Sequence, residues 1–289
     1  MKKYFKLLRV NHYVKNTLIF LPLIFSGSLL NIKLLITTCI AFVSFSLITS
    51  VVYIFNDLCD VEKDRKHPTK KLRPIASGQI SMKRAKIILC ILLIISMIIQ
   101  ILLSICGLLD IKQNIISILM MLSYVILNIL YSKGLKNVPI IDIAILTFGF
   151  VIRVLYGGQI TGIEVSNWLY LTILSLSIFF VIGKRRGELR IVKESKREVL
   201  KYYNDNFLTN NMYVFLAVTL VFYSLWCILK NDNQLLIWSI CLVIMIMLKY
   251  SLIIEKESLA DPIDVLQSDT TLKILSLVYV LYMGVVMYV

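Results

Sequence analysis

The stretch Asn56-Asp-Leu-Cys-Asp-Val-Glu-Lys-Asp64 follows directly on a long apolar segment. If a helix continues through it at about 100° per residue, Asp57, Asp60 and Asp64 fall within an arc of about 60°, and Glu62 points to the opposite side. Oxygen ligands grouped on one face suit Mg²⁺, which proteins commonly hold through one or two carboxylates together with substrate phosphates. The stretch therefore predicts a magnesium and phosphate site at a membrane surface, with these three aspartates as metal ligands and catalytic residues.

The composition places this stretch in a membrane protein. Of the 289 residues, 58% are hydrophobic, which is too large a share for a soluble domain with one core. Mostly uncharged segments of about 17 to 25 residues are long enough to cross about 30 Å of hydrocarbon. The sequence predicts an all-α membrane domain of residues 1–289 with about nine spans, several of them short: Thr17–Leu30, Leu34–Leu58, Ile87–Leu108, Ile115–Tyr131, Pro139–Tyr156, Trp168–Ile182, Phe207–Leu229, Leu235–Leu248 and Leu272–Val289.

The positive charges lie in alternate connections between these spans. Of the 31 Lys and Arg residues, 26 lie in the amino-terminal arm and in the loops near 59–86, 132–138, 184–206 and 249–271. The positive-inside rule assigns these segments to the cytoplasmic face of the plasma membrane, together with the aspartates. The net charge of +14 is then a property of one membrane face. It is expected to attract anionic headgroups or anionic substrates, and it is not a nucleic-acid signature.

A basic loop follows the aspartates and reads Asp64-Arg-Lys-His-Pro-Thr-Lys-Lys-Leu-Arg-Pro-Ile-Ala-Ser-Gly78. His67 precedes a proline, which disfavours helix and predicts that the second long helix ends shortly after the last aspartate. The folded-back cations would grip the oxygens of a diphosphate whose charge a metal ion partly neutralises. The alternative is that they are ordinary positive-inside charges paired with the aspartates.

These residues resemble the intramembrane prenyltransferase superfamily of the UbiA type. The pattern Asn56-Asp57-x-x-Asp60-x-x-x-Asp64 after a second span matches the first signature of that superfamily. The similarity is closest to its branch of decaprenyl-phosphate phosphoribosyltransferases, through the loop that ends at Gly78. Shorter matches extend it over nearly the whole chain: Val14-Lys15-Asn16, Tyr131-Ser-x-x-Leu-Lys136, the span from Asp142 to Arg153, and Lys184-Arg-Arg-Gly-Glu-Leu189.

The loop after the sixth span separates this branch from most of the superfamily, which carries there a second aspartate motif, D-x-x-x-D. Here the sequence reads Lys184-Arg-Arg-Gly-Glu-Leu-Arg190, with Glu188 as the one carboxylate among four cations. The resemblance therefore implies a site for two phosphorylated substrates. It implies Mg²⁺-dependent transfer of a phosphoribosyl group from 5-phosphoribosyl diphosphate to a polyprenyl (decaprenyl-type) phosphate, for the synthesis of cell-envelope glycan precursors.

The candidate substrate-binding residues combine charge, position and this resemblance. They are Lys15, Asn16, Asn56, Arg65, Lys70, Arg73, Tyr131, Lys133, Lys136, Asp142, Lys184, Arg185, Arg186 and Glu188. Lys15 is alternatively a snorkelling anchor, and Asp142 an interfacial charge. Arg153 lies about three turns inside the fifth span, so it must face protein, water or an anion, and the sequence does not name its partner.

Two other functions stay open. A prenyltransferase that acts on an aromatic acceptor would fit the aspartates, but the missing D-x-x-x-D motif argues against it. A secondary transporter would use the aspartates as its coupling site, although such sites usually lie near the midplane. The six cysteines are scattered and lack C-x-x-C spacing, which favours packing roles. The expected partners are the two phosphorylated substrates and the bilayer, and a homo-oligomer is left open.

Overall fold

The computed structural model describes residues 2–191, 198–230, 234–257 and 262–288. As predicted, this part of the chain is all-α. Its twelve α-helices, numbered α1 to α12 in chain order, are Lys2–Leu8, Leu21–Phe25, Ile32–Cys59, Val61–Lys66, Met82–Ile105, Ile111–Lys133, Ile141–Thr161, Asn167–Ile191, Asp205–Leu229, Trp238–Glu257, Pro262–Ser268 and Thr270–Tyr288. Short 3₁₀ helices are Val10–Phe20, Lys70–Leu72, Leu135–Asn137, Glu198–Tyr202 and Gln234–Ile237.

Eight helical segments in the described residues are long and apolar enough to cross a membrane. The predicted number of nine spans is therefore not confirmed. The first of them, Thr17–Leu30, is not one long helix, because the 3₁₀ helix Val10–Phe20 is followed by the short α2. Pro22 lies in the first turn of α2, where a missing N–H breaks no helical hydrogen bond, and it marks the point where the winding changes.

The long helices extend beyond several of the predicted spans because capping residues start them outside the apolar runs. Ser81 caps α5 by accepting a hydrogen bond from the backbone N–H of Arg84 at 3.3 Å. The helix therefore begins at Met82, although the apolar segment begins at Ile87. Hydropathy locates the centre of such a helix better than its ends.

The helices group into two compact units. Unit 1 comprises Met1–Lys136 and Ile152–Glu164, and in it α3 packs against α5 and α6. A buried apolar cluster joins α1, the end of α3, α4, the following loop and the start of α5: Leu7, Ile54, Val61, Ile75, Ile80 and Ala85. Burial of this cluster fixes the basic loop beside the aspartates. Gly157 permits a very close approach, because a Cβ there would lie 2.0 Å from the carbonyl oxygen of Ile19.

Unit 2 comprises Asn137–Val151 and Val165–Val289. In it α8 packs along α9, and α10 packs against α12. The first part of α7 belongs to this unit and the second part to unit 1. Unit 2 contains a groove of about 370 Å³ between α7, α8 and α9.

Candidate active site

The helix that carries the aspartates is interrupted at the second one. Helix α3 ends at Cys59, and Asp60 adopts φ −100° and ψ 9° before α4 begins. Helix α4 ends at Lys66, and His67 is extended with ψ 136°. Helical structure thus stops just before Pro68, but the second long helix itself ends at Cys59, earlier than predicted, and the short α4 carries Asp64. The three aspartates do not lie on one unbroken helix, so the arc calculated for a regular helix does not describe their positions.

Asp57 and Asp64 are buried and converge on one cation of the basic loop. Nη1 of Arg73 lies 3.0 Å from Oδ1 of Asp57 and 2.6 Å from Oδ2 of Asp64. The two aspartates are only 2% and 4% exposed. Burying two carboxylates is unfavourable unless opposite charges and hydrogen bonds compensate. The loop therefore folds back over the aspartates, and Arg73 holds the pair together.

Turns within the loop bring Arg73 to this position. The backbone N–H of Ile80 donates to the carbonyl of Pro74 at 2.9 Å, and that of Gly78 donates to the carbonyl of Ile75 at 3.1 Å. Gly78 has φ +76°, a left-handed conformation that glycine adopts without steric cost. The Arg73-to-Gly78 segment is thus a compact turn anchored by the apolar cluster below it.

Arg9 also belongs to this site, although no sequence pattern singles it out. Its Nη2 lies 2.5 Å from Oδ1 of Asp57, and its guanidinium lies 4.6 Å from the centre of the Tyr53 ring. Arg9 has φ +51°, an uncommon conformation for a residue other than glycine. In the sequence it is one of several cations in a basic arm, and nothing distinguishes it from the positive-inside charges.

Asp60 and Asn56 face the end of α6. Nζ of Lys136 lies 2.5 Å from Oδ1 of Asp60, and the Ser132 hydroxyl donates to Oδ1 of Asn56 at 3.1 Å. The predicted Tyr131-to-Lys136 segment therefore does contact the aspartate motif. At the same helix end Tyr131 is buried, and Lys133 is exposed beside it.

The remaining loop cations differ in their surroundings. Arg65 pairs with Glu62 at 2.9 Å, and both side chains are exposed. Nδ1 of His67 accepts the backbone N–H of Thr69 at 3.3 Å, and Lys70 is partly exposed. Burial and the nearby Lys70 lower the pKa of His67. His67 accepts backbone hydrogen bonds from Thr69 and Lys70, and these contacts order the loop.

The side chains around Asp57 and Asp64 suit a magnesium ion in their chemistry. Within the described ranges, no three His, Cys, Asp or Glu side chains form a ready ligand set. However, two buried carboxylates already meet at one cationic nitrogen, and Asn56 adds a neutral oxygen nearby in sequence. Hard oxygen donors of this kind are those that Mg²⁺ prefers. Asp60 would join them only by leaving Lys136.

Asn16 lies in a separate buried network of unit 1. It accepts a hydrogen bond from Nε of Arg153 at 2.7 Å and donates to Ser46 at 3.0 Å. Nη2 of Arg153 also donates to the Tyr124 hydroxyl at 3.1 Å. The structure thus shows the partners of Arg153, which the sequence alone did not identify. Lys15 is partly exposed next to this network.

Asp142 and Arg185 form a fully buried ion pair in unit 2. Nε of Arg185 lies 2.7 Å from Oδ2 of Asp142, and its Nη1 lies 2.7 Å from Glu188. The Tyr203 hydroxyl donates to Oδ1 of Asp142 at 2.6 Å. Burial and this carboxylate raise the pKa of Tyr203 to about 12. The sequence had given no signal for Tyr203, which lies 61 residues from its partner.

The other two arginines of the segment from Lys184 to Arg190 also form ion pairs with carboxylates of unit 2. Nη1 of Arg186 lies 2.6 Å from Glu255, and Arg190 pairs with Asp205 at 2.7 Å. Arg186 is 1% exposed, whereas Lys184 is partly exposed. Arg185 and Arg186, predicted as phosphate contacts, therefore hold carboxylates in this structure.

Comparisons with known proteins agree with this architecture. A family model described as the UbiA prenyltransferase family matches residues 17–277. Decaprenyl-phosphate phosphoribosyltransferase from Mycobacterium tuberculosis is 29% identical, covering 96% of this chain and 92% of that protein. The protein of the same name from Corynebacterium glutamicum is also 29% identical, covering 98% and 86%. A solved structure of a UbiA homolog from Archaeoglobus fulgidus, bound to DMAPP and Mg²⁺, is 20% identical over 99% of both chains with a TM-score of 0.73.

Proposed function

Since this chain belongs to the UbiA prenyltransferase family, as its motifs predicted, we propose that it is a membrane-embedded phosphoribosyltransferase. It would transfer the 5-phosphoribosyl group of 5-phosphoribosyl diphosphate to a polyprenyl phosphate of the decaprenyl type, in the synthesis of cell-envelope glycan precursors. The observation that carries this proposal is the similarity to the phosphoribosyltransferases over nearly the whole chain. The cationic segment from Lys184 to Arg190 supports the same assignment, because the resemblance implies a second acidic motif at this place in most of the superfamily.

The proposed reaction does not need a strong general base. An oxygen of the acceptor phosphate, already an anion, would form a bond to the anomeric carbon of the donor. The bond from that carbon to the diphosphate would break, and diphosphate would leave with the electron pair. The protein then has to position two anions and stabilise the departing one. A site rich in Arg and Lys around two buried carboxylates supports this division of labour.

Mg²⁺ would be held by Asp57 and Asp64, with Asp60 and Asn56 completing the site, and would neutralise charge on the donor diphosphate. Arg73 and Arg9 contact the same Asp57 oxygen; with the metal bound to that carboxylate, they would contact phosphate oxygens of the donor instead. Further phosphate contacts in unit 1 would come from residues at the loop and at the end of α6: Lys15, Arg65, Lys70, Tyr131, Lys133 and Lys136.

In unit 2, the proposed phosphate contact is Lys184. Arg185 and Arg186 would act indirectly, by fixing Asp142, Glu188 and Glu255 within the fold. Asn16 would act in the same indirect way in unit 1, by orienting Arg153.

The protein is a multi-pass membrane protein, with eight candidate spans in the described residues. We propose that the whole chain acts as one membrane domain in the plasma membrane. Its amino terminus and active-site loops would face the cytoplasm, because most Lys and Arg residues lie in those segments. A homo-oligomer is compatible with this proposal and is not required by it.

The direct test supplies purified protein with Mg²⁺, polyprenyl phosphate and radiolabelled 5-phosphoribosyl diphosphate, and measures label in the extracted lipid. We expect labelled lipid from the wild type, and a loss of at least 100-fold in D57N and D64N, since each removes a charge from the proposed metal site. E62Q is the matched control, because Glu62 lies in the same segment but is exposed and pairs with Arg65. Full activity in D57N and D64N would remove the metal assignment.

A further inference from the structure

Arg9 reaches the candidate active site from an unusual link in the chain. It joins α1 to the 3₁₀ helix Val10–Phe20, and its φ of +51° is a left-handed conformation that residues with a Cβ rarely adopt. Its side chain does not cap the 3₁₀ helix, and it contacts Asp57 instead. Such a backbone conformation persists only where the surrounding structure holds it. Contacts from another part of unit 1 must therefore fix this link.

One hydroxyl of α3 holds the chain on both sides of Arg9. Oγ of Ser50 lies 2.8 Å from the carbonyl oxygen of Leu8, the residue before Arg9. The same oxygen lies 2.7 Å from the hydroxyl of Tyr13, four residues after Arg9. A serine hydroxyl has one hydrogen to donate and can also accept. With Ser50 donating to Leu8, the Tyr13 hydroxyl donates to Ser50, and one buried atom clamps both ends of the link.

This use of a hydroxyl differs from the usual one in α3. A threonine or serine in an apolar helix commonly donates to the carbonyl four residues earlier. Thr38 does so, with its hydroxyl 2.7 Å from the carbonyl of Leu34. Ser50 lies 3.3 Å from the corresponding carbonyl of Ser46, which is farther than its 2.8 Å to Leu8. The stronger donor contact of Ser50 is thus with a segment 42 residues away.

The same face of α3 leads from the clamp to the aspartate. Tyr53 and Asp57 follow Ser50 by three and seven residues, so on a helix they lie within about 60° of it. The Arg9 guanidinium lies 4.6 Å from the centre of the Tyr53 ring and 2.5 Å from Oδ1 of Asp57. One helix face therefore holds the Arg9 backbone, supports its guanidinium and supplies the opposite charge.

From these contacts we propose that Ser50 is a positioning residue, which acts with Tyr13 to aim Arg9 at the diphosphate of the donor. The inference rests on the proposed function, in which Arg9 passes to phosphate oxygens once a metal ion occupies Asp57. Because the chain is held on both sides of Arg9, less conformational freedom is lost when the guanidinium binds the diphosphate. Ser50 itself lies about 10 Å before Asp57 along α3, so it acts through Arg9.

The test measures binding of inorganic diphosphate, in the presence of Mg²⁺, to the full chain in detergent by isothermal titration calorimetry. Diphosphate leaves in phosphoribosyl transfer and also in prenyl transfer, so the probe does not depend on which reaction the protein catalyses. The proteins are wild type, S50A, R9Q and the double variant, with Y13F to remove the other hydroxyl of the clamp. T38V is the matched control, because Thr38 is as buried as Ser50 but its hydroxyl donates within α3.

We expect R9Q to weaken diphosphate binding about 10- to 150-fold, the range for a hydrogen bond to a charged group. S50A should weaken it about 2- to 12-fold, the cost of ordering one long side chain that is no longer held. Y13F should shift the affinity in the same direction, and T38V should bind like the wild type. The double variant should bind no more weakly than R9Q, because Ser50 acts only through Arg9.

Wild-type affinity in S50A or in R9Q would overturn the proposal, as would a double variant in which the two losses multiply. If the wild type binds no diphosphate, the proposed function fails, and thermal unfolding of the same four proteins without ligand then decides the role of Ser50. S50A should lower the midpoint less in the R9Q background than in the wild type, because part of its effect passes through the contact between Arg9 and Asp57. Equal losses in both backgrounds would reject the positioning role.

Discussion

Substitution of Arg73 tests whether the aspartates can exchange a guanidinium for a metal ion. R73Q removes the cation that bridges Asp57 and Asp64, whose side chains are 2% and 5% exposed. Removing one partner of a buried ion pair costs about 3–5 kcal/mol. The Arg73 side chain is 25% exposed, and Arg9 still contacts Asp57, so we expect about 2–3 kcal/mol here.

The assay is thermal unfolding of the purified protein in detergent, with and without Mg²⁺. Without metal, a loss of this size should lower the midpoint by roughly 4–10 °C. A metal present at 100 times its dissociation constant restores about 2.7 kcal/mol. Mg²⁺ should therefore stabilise R73Q more than the wild type, in which Arg73 competes for the same carboxylates.

R65Q is the control for this experiment. Arg65 belongs to the same loop, but it pairs with Glu62 on the exposed surface, and such pairs contribute about 0–1 kcal/mol. Its midpoint should stay close to that of the wild type, with and without metal. R73Q would not have lost a bridging cation if it unfolds at the same temperature as R65Q, and Arg73 would not compete with the metal if Mg²⁺ stabilises R73Q no more than the wild type.

Three further predictions concern packing and buried charge. D142A should lower the free energy of unfolding by about 3–5 kcal/mol because Arg185 is fully buried, and adding R185M should recover part of the loss; equal midpoints for both variants would contradict this. Ultraviolet titration should place the pKa of Tyr203 near 12, by difference from Y203F. Since that pKa is raised in the folded state, its stabilising contribution is complete below pH 10 and is lost as the pH rises through 12; a phenol that titrates near pH 10 would refute the buried contact. G157A should destabilise by about 1–3 kcal/mol or more, because its Cβ meets a backbone carbonyl; the control G284A, with nothing within 4 Å, should be nearly neutral in the same unfolding assay.

Local patterns in the sequence predicted the features that depend on neighbouring residues. The apolar runs gave the all-α membrane fold, and the His67-Pro68 pair gave the end of the helix after Asp64. The first predicted span failed as a single helix, since hydropathy does not report whether the backbone winds as α or 3₁₀. The interruption at Asp60 was missed for a similar reason: no glycine or proline marks it.

Contacts between segments that are distant in the chain could not be predicted from local sequence patterns. The pairing of Arg185 with Asp142 joins residues 43 positions apart. From the sequence alone, the positive charges between Lys184 and Arg190 suggested phosphate binding. Arg9 reaches Asp57 across 48 residues through a left-handed backbone conformation. Such pairs follow from helix packing, which a single sequence does not specify.

In the proposed reaction the donor is a phosphoribosyl diphosphate and the prenyl chain belongs to the acceptor. The most direct measurement offers the purified protein both donors and both acceptors at once: 5-phosphoribosyl diphosphate and a prenyl diphosphate, with polyprenyl phosphate and 4-hydroxybenzoate. Mass spectrometry of the extracted lipids identifies the product. We predict polyprenyl phosphate enlarged by one phosphoribosyl group, formed only when Mg²⁺ is present. Prenylated 4-hydroxybenzoate as the product, with polyprenyl phosphate unchanged, would contradict the proposed reaction.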